Sequence, residues 1–108
     1  MTVEPAATSN PQTWTMYDLV IVSSGGNTTP FNSTAMRQAV TSYRAAGGKL
    51  LVEGGEVAYR LNYNDVTFLR NVLYVQQWNG DNAGNVTVAD ANHHVMSVPN
   101  VIPATLPL

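Results

Sequence analysis

The stretch YDLVIVSSGGNTTPFNSTAMRQAVTSYRAAGGKLLVEGG, residues 17–55, decides the fold. Residues 17–23 read as a strand, because Leu19, Val20, Ile21 and Val22 form an unbroken β-prone run of the kind found in strands covered on both faces. The run stops at Ser23, Ser24, Gly25, Gly26 and Asn27, a cluster of turn-forming residues. A helix is expected within residues 32–46, with Asn32, Ser33 or Thr34 as its N-cap. Met36, Ala39, Val40 and Tyr43 fall on one face at helical spacing, and Gly47 with Gly48 supplies the stop. Residues 49–53, KLLVE, form a second short buried strand that ends at Gly54 and Gly55. Strand, capped helix and strand make a βαβ unit, whose parallel strands cross over right-handedly in about 98% of cases.

Outside this unit the pattern thins. In residues 65–75, Phe68, Leu69, Val72 and Leu73 are spaced for a helix capped by Asn64 or Asp65, although the β-branched and aromatic content leans towards a strand. Residues 79–85, NGDNAGN, read as a loop or hairpin turn, and residues 85–89 alternate through Val86 and Val88 as an edge strand does. The expected organisation is a polar, extended lead-in over 1–16, one α/β domain over 17–98 and an extended tail over 99–108 that Pro99, Pro103 and Pro107 bar from being helical.

A chain of 108 residues fits one domain, since domains commonly run to about 100–150 residues. Charged residues make up 11% of it, less than half of the usual share of about 25%. Neutral Asn, Thr, Ser and Gln take their place, a surface style associated with exported proteins. The net charge of −2 is spread along the chain with no Lys/Arg cluster, which argues against nucleic acid as a partner. No segment approaches the ~20 apolar residues of a bilayer span, and no basic amphipathic face marks a membrane surface anchor. The absence of cysteine rules out disulfides, thiolate metal sites and a Cys nucleophile. Residues 1–15 lack the pattern of a signal peptide. Both ends read as places where a longer chain was cut.

The strand YDLVIVSSGG, the helix ending in AAGG, the junction KLLVEGGEVAY and the later HHVM together resemble the class I glutamine-amidotransferase-like superfamily. The likeness is to the flavodoxin-like branch that includes accessory domains of exported bacterial proteins and the trehalose-utilisation-like group. It covers about residues 17–99 and is carried by generic α/β pieces, so it speaks to fold more than to function. In active class I amidotransferases the turn after the helix–strand junction bears a nucleophilic Cys. Here that turn is Glu53, Gly54, Gly55 and Glu56, and thioester chemistry is impossible. The histidine of the family's downstream HPvM pattern matches His93, with His94 where proline is usual; it is not the triad histidine. Relatives of this type also carry a β-α-β unit before the first strand, which leads to the expectation that a truncated edge is completed by a partner or a second copy.

Five groups of residues bear on chemistry. Ser24, Gly25, Gly26 and Asn27 with Gly54, Gly55 and Glu56 lie at strand carboxyl ends, where open parallel sheets collect ligands and Gly-rich turns hold anions. The simpler reading is that these glycines permit tight turns, because neither GxGxxG nor GxxxxGK[ST] is present. Glu53 and Glu56 form a possible acid/base pair if a sugar-sized cleft divides them, but Glu56 serves equally to charge a helix start. Asp90, His93 and His94 have metal-binding residue types, but adjacent histidines on an extended chain point to opposite faces. A Ser-His-Asp set drawn from Ser23 or Ser24, His93 and Asp90 lacks the GxSxG elbow. Trp14, Tyr59, Tyr63, Tyr74 and Trp78 offer a sugar or peptide platform, with Tyr59 and Tyr63 on one face if their stretch is helical.

The expected fold is thus a small flavodoxin-like three-layer α/β sandwich with a short, mostly parallel sheet. The expected role is a non-catalytic structural or interaction module of a larger extracellular or periplasmic bacterial protein. It needs no cofactor or metal, and its partner is a neighbouring domain of the parent protein or a second copy. The alternatives are a hydrolase or carbohydrate-acting domain using Glu53, Glu56 or His93, and a small-ligand or anion-binding module at the glycine turns.

Overall fold

A computed structural model describes residues 1–5, 9–81, 85–98 and 101–106. The βαβ unit is present. Strand β1 (Val20–Ser23) pairs in parallel with β2 (Leu50–Glu53), Val20 opposite Leu50 and Ser23 opposite Glu53. Helix α1 (Thr34–Ala45) makes the crossover. Of the three cap candidates it is Ser33 whose hydroxyl accepts from the Met36 N–H, at 3.3 Å. Val40 and Tyr43 are buried on the expected apolar face, with Met36 packed beside them.

The end of α1 is welded to the start of β2. Tyr43 lays its ring over Gly48, where an added Cβ would come within 2.3 Å of ring carbon Cζ. Its hydroxyl donates to the Lys49 carbonyl at 3.1 Å, and the same carbonyl accepts the Val20 N–H at 2.9 Å. One side chain therefore ties the crossover helix to the first hydrogen bond of the sheet.

Beyond β2 the chain forms α2 (Val57–Asn64) and α3 (Val66–Asn71). Asp65 caps α3 through its carboxylate, which accepts the Phe68 N–H at 3.0 Å. The helix expected over 65–75 stops at Asn71. Tyr74 takes a left-handed backbone with φ 58°, which returns the Val75 N–H to the Leu69 carbonyl at 3.1 Å. Val57, Leu61, Phe68 and Leu69 join Val40 and Tyr43 in the core. Arg37 staples this half to the first: it donates to Asp65 at 2.8 Å, and to the carbonyls of Phe31 at 2.6 Å and Asn32 at 3.0 Å. That grip holds Phe31 at φ 55° with its ring buried 5.6 Å from Phe68.

Three segments differ from expectation. Residues 11–16 are a 3-10 helix rather than an extended lead-in, because Pro11 suits a first helical turn and Asn10 caps it. This helix puts Trp14, 5% exposed, edge-on against Tyr43 at 5.8 Å, so the packed unit reaches back before residue 17. The edge strand expected over 85–89 shortens to β3 (Val86–Thr87), antiparallel to β4 (Thr105–Leu106) in the tail. His94–Ser97 is one helical turn, α4. Residues 82–84 of the expected NGDNAGN loop, and Pro99 and Pro107 of the tail, lie outside the described residues. Among the described residues no helix is long and apolar enough to cross a membrane.

The sheet of β1 and β2 is covered on one side. Val20, Val22, Leu50 and Val52 pack against the core, whereas Leu19, Ile21 and Leu51 are 49%, 59% and 54% exposed. Alternation along a strand sends neighbouring side chains to opposite faces, and the described helices supply cover for only one of them.

Gly48→Ala is expected to cost about 1–3 kcal/mol by forcing Tyr43 out of place, and Gly26→Ala, in open space, less than about 0.5 kcal/mol. Thermal unfolding followed by circular dichroism checks this. Equal midpoints for the two variants would contradict the packing of Tyr43 on Gly48.

Candidate functional site

The carboxyl ends of β1 and β2 bring most of the sequence-expected residues together. The Ser23 hydroxyl donates to the Glu53 carboxylate at 2.6 Å, bridging the two strand ends on the exposed side. The Ser24 N–H donates to the Glu53 carbonyl at 2.8 Å and extends the ladder one residue past β1. The turn then closes through the Asn27 N–H to the Ser24 carbonyl at 2.9 Å, while Asn27 Oδ1 accepts the Thr29 N–H, also at 2.9 Å. Across from it, Gly54 adopts φ +150°, and a Cβ there would stand 2.7 Å from Ser24 Cβ. A left-handed backbone and a neighbour at that range leave room for glycine alone. Glu56 sits at the N-cap of α2 without a side-chain cap bond.

This geometry builds a structural junction between the two strand ends. The N–H groups of Ser24, Asn27 and Val57 are already bonded within the turns, Val57 to the Gly54 carbonyl at 3.3 Å. A carboxylate, Glu53, stands beside them and repels negative charge. Gly25, Gly26 and Asn27 are exposed on the surface.

The other candidates fall elsewhere. His93 precedes α4, with its N–H on the Asp90 carbonyl at 3.3 Å and its own carbonyl accepting from Met96 at 2.8 Å. Asp90 Oδ1 accepts the Asn92 N–H at 2.9 Å, a local turn bond. The Ser23 hydroxyl points to Glu53 and not to a histidine. Among the described residues no three of His, Cys, Asp and Glu converge as metal ligands. The aromatic set divides: Trp14 enters the core, Tyr74 lies 5.8 Å from the Arg44 guanidinium, and Tyr59, Tyr63 and Trp78 cluster at ring separations of 4.8–6.5 Å. Within that cluster the rings meet edge-on or tilted, by 59–69°, so they pack one another instead of presenting a flat platform.

One feature went unmarked in the sequence. An open groove of about 470 Å³ is lined by Leu50 and Val52 of β2, by no residue of β1, and by Leu69, Val72, Leu73 and Val75. Arg44 and Lys49 also line it.

No family model matches the chain, no curated protein is significantly similar to it in sequence, and no solved structure is significantly similar to it in fold.

Gly54→Ala is expected to cost about 1–3 kcal/mol through backbone strain and the clash with Ser24. Adding Ser24→Gly removes the clashing atom, so a double-mutant cycle by urea denaturation should return a favourable coupling of at least about 0.5 kcal/mol. Strict additivity would show that the two residues do not press on each other.

Proposed function

We propose that the chain is a non-catalytic interaction module, a small α/β domain whose sheet is completed by another polypeptide. The observation that carries this reading is the contrast within β1 and β2. Every side chain from Leu19 to Val22 and from Leu50 to Val52 is apolar, yet Leu19, Ile21 and Leu51 lie open to solvent. Contiguous exposed apolar surface of this kind marks an interaction site, and wholly apolar parallel strands belong in sheets covered on both faces. A second layer from a neighbouring domain of the parent protein would give the three-layer, flavodoxin-like sandwich of the amidotransferase-like group. The missing Cys and the low charge content support a non-enzymatic accessory role in an exported bacterial protein. The rival readings have less support. A hydrolase would need Glu53, Glu56 or His93 gathered at a cleft, and an anion at the turns would meet the Glu53 carboxylate beside them.

The double variant Leu19→Ser/Ile21→Ser tests this on the face of β1 alone. Exposed positions tolerate substitution, so its unfolding midpoint should stay within a few degrees of the parent's. Binding of the apolar dye anilinonaphthalene sulfonate should fall severalfold. Undiminished dye binding, or a collapse in stability, would show that these side chains are not an open surface.

A further inference from the structure

The groove is lined by β2, whose edge away from β1 carries backbone groups with no hydrogen bond among the described residues. The carbonyls of Lys49 and Glu53 accept from Val20 of β1 and from Ser24 just past it, at 2.9 and 2.8 Å. Donors and acceptors alternate in direction along a parallel ladder, so Leu51 also serves β1 while Leu50 and Val52 turn their N–H and C=O groups away from it. An edge of this kind is a template for another strand. We infer that its occupant is a second copy of this chain, paired antiparallel through β2 about a two-fold axis at Leu51. The inference rests on the interaction-module reading and names one partner for it.

Charge selects both the partner and the register. An antiparallel pairing that lets Leu50 and Val52 exchange hydrogen bonds with the partner's Val52 and Leu50 puts Lys49 opposite the partner's Glu53, and Glu53 opposite the partner's Lys49. Slipping the strands by two residues either way sets a charge against the partner's Leu51. Neither Lys49 nor Glu53 has an ion pair among the described residues, where Arg37 with Asp65 forms the only one. The pair is isologous, as a two-fold axis demands, and opposite charges facing across strands stabilise the ladder. Leu51 meets the partner's Leu51 at the axis, in the close, non-hydrogen-bonded position where side chains approach best. The outer edge of β1 offers no such match, because Asp18 is its one flanking charge and no cation answers it.

Sedimentation velocity of the full chain, from micromolar to near-millimolar concentration, tests the dimer. The parent is expected to self-associate. Lys49→Glu and Glu53→Lys, each setting like charges opposite, should weaken association about tenfold or more. An equimolar mixture of the two variants should restore it, because one copy then carries two carboxylates and the other two ammonium groups. Lys49→Gln and Glu53→Gln, which remove charge without repulsion, should weaken it less, and circular dichroism confirms folding in each case. Parent-like association of both reversals, or a mixture no tighter than its components, would overturn the pairing. A parent that stays monomeric throughout would overturn it too and assign Lys49 and Glu53 to guarding the edge. If that monomer still binds dye at Leu19 and Ile21, the interaction-module reading stands with a different partner.

Discussion

The pairing of Val20–Ser23 with Leu50–Glu53 sets two apolar strands side by side, and helices cover one of their faces. That covered face is the floor of the core. Val20, Val22, Leu50 and Val52 meet Val40 and Tyr43 from α1, Val57 and Leu61 from α2, and Phe68 and Leu69 from α3. Removing water from these side chains is the main favourable term in a domain this small. The other face gains nothing from folding in one copy, so the same strands that organise the molecule also leave it unfinished.

Polar contacts locate the helices over that floor. Tyr43 joins α1 to the first rung of the sheet through the Lys49 carbonyl, and the bare backbone of Gly48 lets its ring lie flat against the chain. Arg37 joins the approach to α1 with the cap of α3 through Phe31, Asn32 and Asp65. Arg37 and Asp65 are both partly shielded, and the guanidinium spreads its donors over several acceptors, which makes this pair worth more than an exposed ion pair.

Much of this was legible in the residues themselves. The continuous apolar runs, the spacing of Met36, Val40 and Tyr43 and the glycine pairs announce β1, α1 and β2 because each is a local signal. Helix α2 was harder: Val57 and Leu61 are its only buried residues, a stripe too narrow to stand out after a glycine turn. Pro11 suits an extended lead-in and a first helical turn alike, and the Asn10 cap with the packing of Trp14 on Tyr43 goes with the helix. Burial on both faces was inferred from composition, which reports what a strand is fit for and not what lies over it. At the candidate site, Ser24 and Gly54 were found by turn chemistry, whereas the bond from Ser23 to Glu53 depends on strand register, which no local pattern encodes. His93 stands out only through the resemblance and its neighbours Asp90 and His94, and the chain places it ahead of α4.

Amide hydrogen exchange of β2, residue by residue and at two protein concentrations, tests the unfinished sheet most directly. At high dilution the Leu51 and Glu53 amides, bonded to β1, should be protected while those of Leu50 and Val52 exchange freely, and protection at Leu50 and Val52 should rise with concentration as the second copy docks. Protection at Leu50 and Val52 that does not change with concentration, whether strong or absent, would contradict a sheet completed by a second chain.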